Sequence, residues 1–200
     1  MSTIPALMGG RALEHGLALV VDHGRGSGSK MYVGGQANAD VAAGSTTAES
    51  SAENECTEYI VPANTLVAGS TIRVRWVTLS GTIDASGTDT LICRLRFGSS
   101  TTASSNTECA VSTAVDQAAN DFSVGDMVIQ IRTATTAVAF GTIADSDALG
   151  SKLVSAQFEP SFTIDTTVAN YINVTTQFST TDANLATTHG FIVDIVNPST

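Results

Sequence analysis

Few residues in this sequence are of the types that do chemistry, and their spacing decides what each can do. The stretch Gly24-Arg25-Gly26-Ser27-Gly28-Ser29-Lys30 has the glycine content of a phosphate-gripping loop. That chemistry needs Gly directly before Lys and a Ser or Thr after it, opening a helix whose N–H groups converge on the oxyanion. Here Ser29 precedes Lys30, Met31 follows, and the stretch reads as a turn. Asp145, Asp147 and Gly150 are spaced like part of a calcium loop. The chelating positions that should follow are Leu149 and Ala156, so this too reads as an inter-strand turn, as do Asp84 and Asp89. His15, His23 and His189 lie at no zinc-ligand spacing from one another or from Cys56, Cys93 and Cys109. The Asp22-His23 pair has no nucleophile-elbow pattern to serve. The expectation is a non-enzymatic protein with no catalytic residue, no metal and no cofactor.

The arginines are the more informative polar residues. Of nine basic residues, Arg73, Arg75, Arg94, Arg96 and Arg132 fall on predicted strands, each at the parity opposite to the apolar side chains. If those strands are neighbours, the guanidinium groups cluster on one sheet face. Such a face is either balanced by nearby carboxylates such as Glu58, Asp89 and Asp194, or it docks an acidic neighbour. The planar guanidinium fork suits an interface because it makes paired hydrogen bonds. These five residues are therefore the candidate subunit or partner interface. Nucleic acid is not an expected partner, because a net charge of −10 repels phosphate.

The elements that must position these residues are strands. Ile72, Val74 and Trp76 alternate with Arg73, Arg75 and Val77. Leu91, Cys93, Leu95 and Phe97 alternate with Ile92, Arg94 and Arg96, and Met127, Ile129 and Ile131 with Val128, Gln130 and Arg132. This period of two marks half-buried strands, with Trp76 and Cys93 on the core side. Further runs cover about 136–143, 153–164, 170–178 and 187–196, separated by Gly, Ser, Asn and Asp clusters. Seven or eight strands without an amphipathic helix predict an antiparallel β-sandwich, jelly-roll-like. An immunoglobulin-like sandwich is the alternative, but its Cys…Trp…Cys spacing is missing.

Two regions differ in texture. Residues 1–55 are rich in Gly, Ala and Ser and read as an N-terminal arm, with short strands at Leu17–Val21 and Met31–Val33 and a linker from Ala37 to Asn54. Residues 56–200 read as the sandwich domain. Charged residues make up 14% of the chain, against roughly 25% on average, and Thr and Ser take their place. That composition predicts a hydroxyl-rich surface suited to ordered contacts between subunits. No signal-peptide pattern opens the sequence and Leu17–Val21 is too short to span a bilayer, so neither export nor a membrane partner is expected.

The strand region resembles a module of bacteriophage structural proteins. Tyr59-Ile60-Val61-Pro62-Ala63-Asn64-Thr65-Leu66, then Gly69 and Ile72-Arg73-Val74-Arg75, is similar to its opening strand motif. Thr90 to Gly98, Asp126 to Arg132, Asp165 to Asn170 with Ile172-Asn173-Val174, and Phe191 to Asn197 follow in the family's order. The resemblance covers about residues 58–197. It implies a jelly-roll virion protein without catalytic positions: a capsid decoration or head-fibre subunit, made in the host cytoplasm and carried on the particle. It further implies a homo-oligomer, a trimer before a dimer, docked on the major capsid protein or another virion protein. The alternative is a tail-associated module that binds a receptor or carbohydrate.

Overall fold

The alternating runs all become strands in the computed structural model, which describes residues 31–33, 51–81, 89–116, 121–146, 152–180 and 186–196. In chain order these are β1 (Met31–Val33), β2 (Asn54–Val61), β3 (Thr71–Ser80), β4 (Thr90–Gly98), β5 (Thr107–Val111) and β6 (Val115–Asp116). Then come β7 (Phe122–Thr133), β8 (Thr136–Ser146), β9 (Lys152–Thr163), β10 (Asn170–Phe178) and β11 (Ala186–Val196). One 3-10 turn, Ala103–Ser105, interrupts them. A six-stranded antiparallel sheet runs in the order β1-β11-β3-β7-β8-β9, and a five-stranded one runs β2-β10-β4-β5 with β6 also on β4. The two form the expected jelly-roll-like sandwich. The chain changes sheet between β1 and β2, β2 and β3, β3 and β4, β6 and β7, β9 and β10, and β10 and β11. Strands distant in sequence therefore become partners, β3 with β11 and β4 with β10.

The predicted parity holds through the core. Ile72, Val74 and Trp76 of β3, Leu95 and Phe97 of β4, and Met127, Ile129 and Ile131 of β7 are all buried. Ile172 and Val174 of β10 and Phe191, Val193 and Ile195 of β11 complete the same cluster. Phe97 of one sheet meets Phe162 of the other edge to face, with ring centroids 6.2 Å apart, a geometry that aromatic quadrupoles favour.

The hydroxyl groups are not confined to the surface as composition suggested. Thr78, Ser80, Ser112, Ser123, Ser146, Thr176 and Thr188 are buried. Short hydroxyl side chains enter a core where they find partners, as Thr78, Ser112, Ser146, Thr176 and Thr188 do. Thr78 and Thr188 share a 3.2 Å hydrogen bond across β3 and β11, and Thr176 shares one of 3.1 Å with the Cys56 thiol. The Trp76 indole N–H donates to Cys93 Sγ at 3.3 Å. All three cysteines are free and buried, so a Cys56–Cys109 bridge is not formed.

At the N-terminal side, β1 pairs with β11 over Met31–Val33, where a short strand was expected. Residues 51–53 lead directly into β2, so the end of the stretch read as a linker belongs to the sandwich. Leu17–Val21, the 24–30 turn, Asp22, His15, His23, Asp84, Asp147, Gly150 and the linker residues 37–50 lie outside the described residues.

Candidate interaction surface

The five arginines do not share a face. Register places Arg73 and Arg75 on the outer side of the six-stranded sheet with the β7 positions Asp126 and Val128. Arg132 is on the outward parity of the same strand β7. Arg94 and Arg96 lie on the outer side of the five-stranded sheet, because β4 pairs with β10, β5 and β6 rather than with β3 or β7. The single guanidinium cluster expected from parity is thus two groups on opposite sides of the sandwich.

On the six-stranded sheet the ion pairs run diagonally. Arg73 stands opposite Asp194 and Arg75 opposite Asp126. Yet Arg73 Nε donates to Asp126 Oδ1 at 2.8 Å, and Arg75 Nη2 reaches Asp194 Oδ2 at 3.4 Å. The Arg73 hydrogen bonds and charge hold the Asp126 carboxyl below its usual range. These pairs are well exposed, and each contributes at most about 1 kcal/mol. Arg132 donates to Gln130 Oε1 at 3.1 Å. Gly190 leaves a shallow apolar notch of about 250 Å³ beside them, framed by Arg75, Val77, Val124, Asp126 and Ile192.

On the five-stranded sheet the polar groups interlock. Register lines up Glu58, Asn173, Arg96 and Glu108 in a row across β2, β10, β4 and β5. Arg96 grips Glu53 with both prongs of its fork, Nη2 to Oε2 at 2.6 Å, and Nη1 donates to the Asn106 carbonyl at 2.9 Å. Arg94 Nε donates to Glu108 Oε2 at 2.9 Å. Asn173 Nδ2 donates to both Glu55 and Glu58, at 2.9 and 3.1 Å. The Arg94, Arg96 and Glu53 side chains are only 12–13% exposed. Burial alone would push the Glu53 carboxyl up, but hydrogen bonds from Arg96 and Thr175 and the arginine charges pull it below its usual value. Glu55 moves the other way, raised by burial and by the charge of Glu58.

The carboxylates that answer the arginines come from the same chain. Asp194 serves as the sequence suggested, whereas Glu58 is turned to Asn173 and Asp89 to the Thr180 hydroxyl, 2.7 Å away. Sequence reasoning missed Glu53, because it lies in a Gly/Ala/Ser-rich stretch with no strand pattern to flag it. It also missed the apolar outer strip. Val154 and Phe158 on β9 are 68% and 70% exposed, and Phe140 on β8, opposite Phe158, is 43% exposed.

Burial raises the thiols of Cys56 and Cys93 to about 11 and about 12, so they are protonated and weak nucleophiles at neutral pH. Among the described residues no group of three His, Cys, Asp or Glu side chains is placed to hold a metal ion. Asp145 is buried within the sandwich, where desolvation raises its carboxyl above the usual range.

No family model matches the sequence, and no curated protein matches it. Among solved structures, a marine PL7 alginate lyase, AlyA1 from Zobellia galactanivorans, is similar with a TM-score of 0.24 and 12% identity, over 86% of this chain and 76% of that one. A likeness that slight bears on neither fold nor activity, and the sandwich assignment rests on the strand register described above.

Proposed function

We propose that this chain is a non-enzymatic structural component of a bacteriophage particle, displayed on the particle surface. One observation carries the contact role: four of the five strand arginines are paired to carboxylates of the chain itself, while the two most exposed large apolar side chains, Val154 and Phe158, lie with Phe140 on the outer face of the six-stranded sheet. A face whose charges are internally balanced and whose protruding groups are Val and Phe is built to meet protein. The phage assignment is supported by the sequence resemblance over residues 58–197, and the low charge content is in keeping with ordered packing of copies.

Quantitative mass spectrometry of purified phage particles tests this reading. The chain should be present at a fixed number of copies per particle, and gold-labelled antibody should decorate the outside. A chain found only in the soluble lysate, absent from particles, would overturn the assignment.

A further inference from the structure

We infer that two copies of this chain pair through β9, edge to edge, about a two-fold axis that passes by Ala156. The inference stands on the sheet geometry alone and does not depend on the particle assignment. β9 is the last strand of the six-stranded sheet; among the described residues none pairs with its outer side. The neighbouring edge strand β5 is partly served from within the chain, since Gln157 Oε1 accepts the Val111 N–H at 3.0 Å. β9 is twelve residues long and pairs with β8 without irregularity from Lys152 to Glu159. A long, regular edge with free peptide groups is a template for another strand.

The outward side chains of this edge specify what that strand is. Val154, Ala156 and Phe158 are exposed and uncharged, and so are Phe140 and Thr142 beside them on β8. Natural edges are guarded by charges at such positions, and these are not. Two chains of net charge −10 repel overall, so a copy approaches most readily where the surface carries no charge. Antiparallel pairing centred on Ala156 sets Val154 opposite Phe158 of the second copy, Phe158 opposite Val154, and Ala156 opposite itself. Each large side chain then meets a large partner on the same face. Moving the centre by one residue sets Val154 against Ala156 or Pro160, which spoils that match. Pro160, which has no N–H, lies just beyond the regular stretch and limits pairing to it.

Magnitude sets the expected strength. Val154, Ala156, Phe158 and Phe140 leave on the order of 300 Å² of apolar surface per copy, given that one aromatic side chain can bury roughly 150–250 Å². A two-fold contact would bury about twice that plus backbone, under the roughly 1,200 Å² of a standard stable interface, so the dimer is reversible with micromolar affinity. Copies held close together on a larger assembly would pair far more completely, because their effective concentration is higher.

Sedimentation velocity of the full chain over a micromolar to millimolar series tests the association, and Ala156→Cys tests the register. Directly opposed residues in an antiparallel pair have Cα atoms about 4.5–5.5 Å apart, within disulfide reach. Mild oxidation of Ala156→Cys should give a covalent dimer, with no competition from the buried native thiols. Phe158→Lys, at an exposed position, should weaken association at least tenfold while circular dichroism and the melting temperature stay unchanged. A chain that remains monomeric throughout overturns the inference. So does an oligomer that is indifferent to Phe158→Lys and yields no cross-link at Ala156→Cys, since its interface lies elsewhere.

Discussion

The indole ring of Trp76 occupies the space that a side chain on Gly125 would need. The two residues face each other across β3 and β7, and a Cβ added to Gly125 would lie 2.0 Å from Trp76 Cη2. Trp76 is 1% exposed and also donates to Cys93 Sγ, so the ring is held on both sides. Gly125→Ala must displace the ring or the strand, at a cost of about 3 kcal/mol or more. Trp76→Ala removes the ring and should cost about 3–5 kcal/mol. Urea unfolding of both variants measures this. The folded protein should show the blue-shifted emission of a buried indole.

The Glu53–Arg96 pair should govern acid stability. Glu53 has its carboxyl lowered in the folded state, so its contribution is complete above the ordinary value of 4.5 and is lost as pH falls through the lower folded value. Glu53→Gln should cost about 2 kcal/mol at pH 7, because it leaves a largely buried guanidinium with only the Glu108 carboxylate, 3.4 Å away, as counter-charge. The difference between wild type and variant should shrink steadily below pH 4.5. A difference that is constant between pH 7 and 3 would show that charge is not what the pair contributes.

The same pair distinguishes two truncations. A chain beginning at Ser51 loses β1, whose three residues cap one edge, but keeps the grip of Glu53 on Arg96. A chain beginning at Cys56, the boundary that composition suggests, loses both Glu53 and the first two residues of β2. The shorter chain should melt roughly 10 °C lower, in proportion to a loss of about 3 kcal/mol. Differential scanning calorimetry of the two reads this directly.

The cysteines should be silent until the protein opens. Cys56, Cys93 and Cys109 are each at most 2% exposed, and burial raises all three thiols. A thiol-specific chromogenic disulfide reagent should therefore label none in native buffer at pH 8 and all three in denaturant. Fast labelling of one thiol in the native state would reveal a local opening of the core near that residue.

Substituting Arg94 and Arg96 together with Ser should act on the fold before it acts on any assembly. Their partners Glu53, Glu108 and the Asn106 carbonyl belong to the same chain, and removing both cations leaves those carboxylates unopposed. The melting temperature should fall by several degrees, whereas Arg73→Ser, which breaks only an exposed pair, should change it little.

What the sequence determined by itself is local. Alternation at Ile72–Trp76, Leu91–Phe97 and Met127–Ile131 dictated both the strands and the buried face of each, because side chains on a strand point to opposite sides at every step. Trp76 and Cys93 were assigned to the core on that ground alone, and both are there. Which strand lies beside which was decided only by the tertiary structure. Arg73 and Arg94 share the same outward parity, yet the chain changes sheet between β3 and β4, so outward means opposite directions for the two. The partners of Arg96 and the uncovered edge at β9 have the same origin. Glu53 meets Arg96 across 43 residues, and the exposure of Phe158 follows from its strand being last in the sheet. Alternation records how one strand faces a core, and it carries no term for the neighbour that the rest of the chain will set beside it.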